Sequence, residues 1–129
     1  MTVGTFDGVH TGHRAVLQQL REVADRHNAS TTLLSFTPHP RVVLDPNHHG
    51  LKLLNTLEER RELLAQAGLD NLVLHPFTKD LANLTPWEYA KTLLADCIKP
   101  VAVVIGDDHR FGRHRAGNFD TLVTLGQAF

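Results

Sequence analysis

Two kinds of apolar pattern alternate along the chain. Short β-rich runs without a helical stripe occur at Met1–Thr5, Thr31–Phe36, Asn71–His75 and Val101–Ile105. Between them the apolar residues recur at helical spacing. Val16, Leu17, Leu20, Val23 and Ala24 share one face and predict a helix over His13–His27. Thr56-Leu57-Glu58-Glu59 is a capping box, and the helix it opens carries Leu63, Leu64 and Ala67, with Gly68 suited to the residue past its end. Thr85-Pro86-Trp87-Glu88 is a second capping box, with proline at the first helical position. Its helix turns Trp87, Ala90, Leu94 and Ile98 inward and stops before Pro100. Cys97 follows the same pattern and reads as a small core residue. Thr37–Gly50, with Pro38, Pro40 and Pro46, reads as loop. Val101–Ile105 suits a strand covered on both faces. The order β-α-β-α-β-α-β predicts an α/β fold, a parallel sheet with crossover helices on its faces.

In such a sheet ligands bind beyond the carboxyl ends of the strands. Four loops lie there: Phe6–Gly12, Thr37–Pro40, Pro76–Thr78 and Gly106–Gly117. Length adds that 129 residues make one domain with a real core. Thirteen Lys and Arg against fourteen Asp and Glu leave a formal charge of −1, which argues against a general nucleic-acid binder. No apolar run approaches the ~20 residues that span a membrane, and Met1-Thr2-Val3-Gly4 lacks a signal-peptide layout. The lone Cys97 cannot form an internal disulfide, so a reducing, cytoplasmic setting is expected. Nine histidines invite a metal reading. No H-E-x-x-H, H-x-x-E-H or cysteine pair supports it, and His48-His49 with Asp45 has no further ligand at fixed spacing. No protein metal site is expected.

The first loop is Gly4-Thr5-Phe6-Asp7-Gly8-Val9-His10-Thr11-Gly12-His13. Gly8 and Gly12 permit close backbone approach and positive φ, and the helix start behind them is a natural phosphate site. His10 and His13, three residues apart, can face one anion and stabilise charge developing on phosphate oxygens. Taken alone, the pair reads equally as two solvated histidines. The string G-T-F-D-G-V-H-x-G-H, however, resembles the first signature of the H-x-G-H nucleotidylyltransferase superfamily. That resemblance implies a Rossmann-like fold of nucleotidylyltransferase type. It makes His10 and His13 the phosphate-contacting catalytic pair, with Gly4, Thr5, Phe6, Asp7, Gly8 and Gly12 completing the ATP site.

Phe36-Thr37-Pro38-His39-Pro40 follows the second strand, where prolines make a rigid loop. From the segment alone, His39 is equally a turn residue. F-x-P-H-P at this distance from H-x-G-H resembles the FMN adenylyltransferase module of bacterial bifunctional riboflavin kinase/FAD synthetases. Gly106-Asp107-Asp108-His109-Arg110-Phe111-Gly112 is similar to that family's G-x-[DN]-F-x-F-G loop, with His109 in place of the usual Phe. Leu54–Gly68 and Pro76-Phe77-Thr78 also resemble family segments. The resemblance implies transfer of AMP from ATP to FMN, giving FAD and pyrophosphate, with Mg²⁺ accompanying ATP. By it Asp108 stands at the reaction centre, and Phe36, Pro38, His39, Pro40, Asp108, Arg110, Phe111 and Arg115 form the flavin site. Arg110, Arg113, His114 and Arg115 concentrate positive charge for two anions, although they are equally at home on a solvated loop. Three other residues are left less specific. His27 suits a helix C-terminus, His75 is packing or a substrate contact, and Trp87 is packing rather than a flavin stack.

The family's late S-S/T-T-x-I-R string has no counterpart. The expectation is one FAD synthetase-like domain over 1–129, incomplete at its C-terminal end, without a riboflavin kinase domain, which is left to a parent protein. Weak or no turnover by the chain alone is expected. Two other readings stand beside this one: a related nucleotidylyltransferase acting on another small phosphorylated substrate, and a non-catalytic flavin- or nucleotide-binding module.

Overall fold

Every second residue of a strand faces the same way, and the strand Thr32–Thr37 uses both faces. Leu33 points into one apolar cluster, with Leu17, Leu20, Leu64 and Val104, while Leu34 and Phe36 point into another, with Met1, Val3, Tyr89, Leu93 and Phe111. The computed structural model describes residues 1–6, 11–37, 57–106 and 109–128. Within them three parallel strands form one sheet: β1 (Thr2–Val3), β2 (Thr32–Thr37) and β3 (Asn71–Pro76), in the spatial order β1-β2-β3. The helices are α1 (Thr11–Arg26), α2 (Leu57–Gln66), α3 (Lys79–Ala82), α4 (Pro86–Tyr89) and α5 (Phe119–Ala128). The first two lie over the Leu33 face, and the helical segment that begins with α4 lies over the Leu34 face.

The apolar stripe of α1 packs as its spacing predicts, with Leu17, Leu20 and Ala24 buried and Val16 and Val23 beside them. The helix begins two residues earlier than expected, so Thr11 and Gly12 are helical as well. Its end is closed by Asn28 at φ 52°, and α2 is closed by Gly68 at φ 91°. In both, the amide after the left-handed residue returns to a carbonyl five residues back: Ala29 to Ala24 at 2.8 Å and Leu69 to Leu64 at 3.1 Å. The Thr85 box is present: its hydroxyl accepts from the Glu88 amide at 3.2 Å and meets Glu88 Oε1 at 2.9 Å. The Thr56 box and the 38–50 loop lie outside the described residues.

Three expectations need correction. α4 continues into Ala90–Ile98, wound wider than an α-helix, and Lys99 N–H bonds the Leu94 carbonyl at 2.7 Å. Tyr89, Ala90, Leu93 and Leu94 form its inward stripe. Trp87, at the margin of that stripe, is 48% exposed, and the wider winding leaves Cys97 exposed rather than in the core. Val101–Ile105 is not a regular strand, and Val101 is 72% exposed. The segment keeps one rung beside β1: Met1 donates to Ala102 O at 2.8 Å, and Val104 N–H donates to Met1 O at 2.9 Å. Val103 and Val104 reach opposite clusters, as in extended chain, but β1 spans only two residues, so the ladder stays short.

At the opposite end of the sheet, Asp70 ties α1 to β2. Its Oδ2 accepts from Thr31 N–H at 2.8 Å and from Arg21 Nη1 at 2.9 Å, and Thr31 Oγ1 accepts the Asp70 amide at 2.9 Å. The Thr31 amide, then Arg21, hold the Asp70 carboxyl below the ordinary carboxylate value of 3.8. The resulting stabilisation is complete above that value and is lost as pH falls from it through the lowered one. Asp70→Asn is therefore expected to lower Tm near neutral pH, costing about 1 kcal/mol at this half-exposed position. It should also flatten the acid limb of Tm against pH. Melts of both chains from neutral pH to below 3.8 check this.

Candidate functional site

The carboxyl ends of β1 and β2 open on two connected features. The first is the turn after β1. Gly4 N–H bonds Leu34 O at 3.0 Å, the last rung between β1 and β2. The chain then reverses at Phe6, which takes φ 52°. This left-handed turn was expected of glycine, and Gly12, being helical, does not supply it. The Phe6 ring is buried and lies flat on the His13 imidazole, with centroids 4.4 Å apart and planes 14° from parallel. His13 is thus the third residue of α1, held by an aromatic face at the end where free amides and the helix dipole favour an anion. The reason for Gly4 is steric: a Cβ there would stand 2.8 Å from two Phe6 ring carbons.

The second feature is a cavity of about 480 Å³, within the usual range for small-molecule sites. Phe36, Phe77, Tyr89 and Phe111 give it aromatic walls. Phe36 meets Phe77 edge-on at 5.5 Å, and Tyr89 lies 5.1 Å from Phe111. Burial pushes the Tyr89 phenol well above its ordinary value, so it stays neutral. Arg110, Arg113, His114 and Arg115 line the same cavity, and Gly4 and Thr5 complete its floor. Arg113, His114 and Arg115 sit on a tight hairpin whose ends, Phe111 and Gly117, exchange backbone hydrogen bonds of 2.8 and 3.1 Å. His114 and Arg115 both take positive φ, 57° and 54°. Such strain gathers at functional sites because surrounding structure must hold it in place. Arg113 N–H supplies part of that hold by bonding Leu84 O at 2.6 Å.

The family model described as FAD synthetase matches residues 1–129. The chain belongs to the FAD synthetase family. A bifunctional riboflavin kinase/FMN adenylyltransferase of Listeria monocytogenes is 34% identical over 122 residues, covering 95% of this chain and 38% of that protein. The Escherichia coli K12 protein of the same name is 33% identical over 129 residues, covering 100% of this chain and 41% of the relative. The chain thus spans about two fifths of the length of these relatives. A solved structure described as a macrolide-efflux protein from Streptococcus pneumoniae shares the fold, with TM-score 0.87 and 26% identity, covering 96% of this chain and 41% of that one. Among the described residues no helix is long and apolar enough to cross a membrane.

Set against the FAD synthetase motifs, Phe36, Arg110, Phe111 and Arg115 converge on one cavity. Gly4 and Thr5, expected on the ATP side, line it too, so the two expected sites adjoin through the end of β1. Phe6 and His13 lie on the opposite side of that strand end, against the α1 cluster. Asp7, Gly8, His10, Pro38, His39, Pro40 and Asp108 lie outside the described residues, as do Asp45, His48 and His49. His109 fills the aromatic position it takes in the motif, its ring 6.1 Å from Phe111. His75 packs edge-on against Phe36 at 6.4 Å and meets Pro76 O through Nδ1 at 2.8 Å. Two site residues escaped the sequence reading. Tyr89 was hidden because the helix was phased on Ala90 and Leu94. Arg60, in the motif helix, is 7% exposed and bonds Thr5 O at 2.7 Å; its position four residues before Leu64, on the inward face, is the signal.

Gly4→Ala is expected to displace the Phe6 ring and cost about 1–3 kcal/mol, read as a lower midpoint in urea with unchanged slope.

Proposed function

We propose that the chain transfers AMP from ATP to FMN, forming FAD and releasing pyrophosphate. One observation carries this reading: an aromatic cavity with a basic rim opens beside the glycine-containing turn that leads to His13. The planar flavin ring fits between Phe36, Phe77, Tyr89 and Phe111. Its phosphate would lie toward Arg110, Arg113 and Arg115, and the turn after β1 would receive ATP. An FMN phosphate oxygen forms a bond to the α-phosphorus of ATP, and the bond from that phosphorus to the bridging oxygen of pyrophosphate breaks. This chemistry needs two anions held together and charge neutralised rather than a covalent protein intermediate. By the family motifs, His10 and His13 stabilise the phosphates, Asp108 orients the substrate, and Pro38, His39 and Pro40 belong to the flavin-binding set. Mg²⁺ would accompany ATP and supply neutralisation of phosphate charge. Among the described residues no three His, Cys, Asp or Glu side chains are grouped to hold a metal ion. We place this activity in the reducing cytoplasm, where an exposed free thiol such as Cys97 persists.

The test has two arms. Titrating FMN with the chain should quench flavin fluorescence, because stacking on aromatic walls does so. Incubation of the enzyme with ATP, Mg²⁺ and FMN, followed by chromatography, should show FAD. Absence of FAD overturns the transfer reading. Absence of FMN quenching overturns the flavin assignment itself.

A further inference from the structure

We propose that Arg60 is a positioning residue for the nucleotide half of the site, acting through the Thr5–Phe6 peptide on the His13 ring; this rests on the adenylyltransferase reading above. A buried guanidinium is costly to desolvate, so its place in the fold calls for a compensating bond. Arg60 is 7% exposed on α2, and its Nη1 donates to Thr5 O at 2.7 Å, across 55 residues of sequence. That is a short, charge-assisted hydrogen bond. It falls just past the last rung of β1, where the sheet no longer fixes the chain.

What it fixes there is specific. The Thr5 carbonyl belongs to the same planar peptide as the Phe6 amide. The φ angle of Phe6 is the rotation about its N–Cα bond, measured from that plane. Holding the carbonyl holds the reference for the one described residue of this turn with positive φ. A bulky residue adopts this conformation only when its surroundings over-determine it. Arg60 and the ring contacts supply that constraint together. The Phe6 ring is in turn the surface on which His13 lies, at 4.4 Å. Arg60 therefore controls His13 orientation and ATP affinity without touching the nucleotide. The aromatic cavity is walled by β2, the α4 segment and the 109–115 hairpin, and Arg60 is not among its lining residues. FMN binding should be nearly independent of it.

The experiment compares Arg60→Met and Arg60→Lys with the parent chain by NMR of the His13 imidazole, assigned with a His13→Asn control. The same three chains are titrated with Mg·ATP and, separately, with FMN. Stacking on Phe6 shifts the parent His13 ring protons upfield. Arg60→Met should lose that shift and weaken ATP about tenfold, the scale of one charge-assisted hydrogen bond, with FMN affinity changed less than about twofold. Arg60→Lys, which keeps a charged donor, should recover most of the shift. A folded Arg60→Met chain that keeps the His13 shift overturns the proposal. So do equal losses of ATP and FMN that lysine does not relieve, since these mark a purely structural role. If the methionine chain does not fold, the lysine chain decides: a parent-like His13 shift supports the proposal, and loss of the shift overturns it. If the parent binds no ATP, the adenylyltransferase reading fails while the ring shifts still decide the positioning role.

Discussion

His13→Ala is expected to lower FAD formation by about 10²–10³-fold, the cost of removing one donor aimed at developing negative charge. The effect should fall on the chemical step. His13 sits in the first turn of α1, where in the proposed reaction its imidazole would act together with the free amides and the helix dipole on one anion. Its removal also takes a partner from Phe6, a ring pair worth about 0.5–1.5 kcal/mol, so Tm should drop modestly and the fold should persist. Because His13 is not among the residues lining the aromatic cavity, flavin quenching should survive in the variant. The check is FAD chromatography on an actively turning-over form of the enzyme, beside FMN titration of the same variant. Unchanged turnover would remove His13 from the reaction.

How much of this was legible in the sequence depends on the range of the interaction that decides each feature. The α1 stripe, the Thr85 cap and the Gly68 stop rest on neighbours within one or two turns, and all three appear as read. The convergence of Phe36, Arg110, Phe111 and Arg115 was also legible, because a parallel sheet brings the loops at the strands' carboxyl ends together. Features decided by tertiary contact were not. Glycine is the usual left-handed residue, so Gly12 drew that assignment, yet it is helical while Phe6 takes positive φ under contacts with Gly4 and His13. Cys97 follows a 3.6-residue period that the wider winding of Ala90–Ile98 abandons. A buried Arg60 is invisible to a pattern that counts arginine as polar, since its bond to Thr5 spans 55 positions. The short rung at Met1 shows the same limit: five apolar residues predict a strand, but the partner fixes the length of the ladder.

The flavin side offers the second large effect. Gly117→Ala should weaken FMN binding by about 10- to 100-fold, the equivalent of the usual 1–3 kcal/mol overpacking cost. The Phe111 ring lies directly over Gly117, and a Cβ there would stand 2.6 Å from two of its carbons. The backbone cannot retreat, since residues 111 and 117 are locked by two hydrogen bonds. The ring must therefore leave its place beside Tyr89 and move relative to a cavity that it walls. The same displacement loosens the hairpin that carries Arg113 and the strained His114 and Arg115, so aromatic wall and basic rim fail together. ATP affinity should change much less, because the Phe6–His13 stack lies in the other cluster. Flavin fluorescence titration against Mg·ATP titration separates the two. Equal losses for both ligands would show that the hairpin and the turn after β1 form one binding unit rather than two adjoining ones.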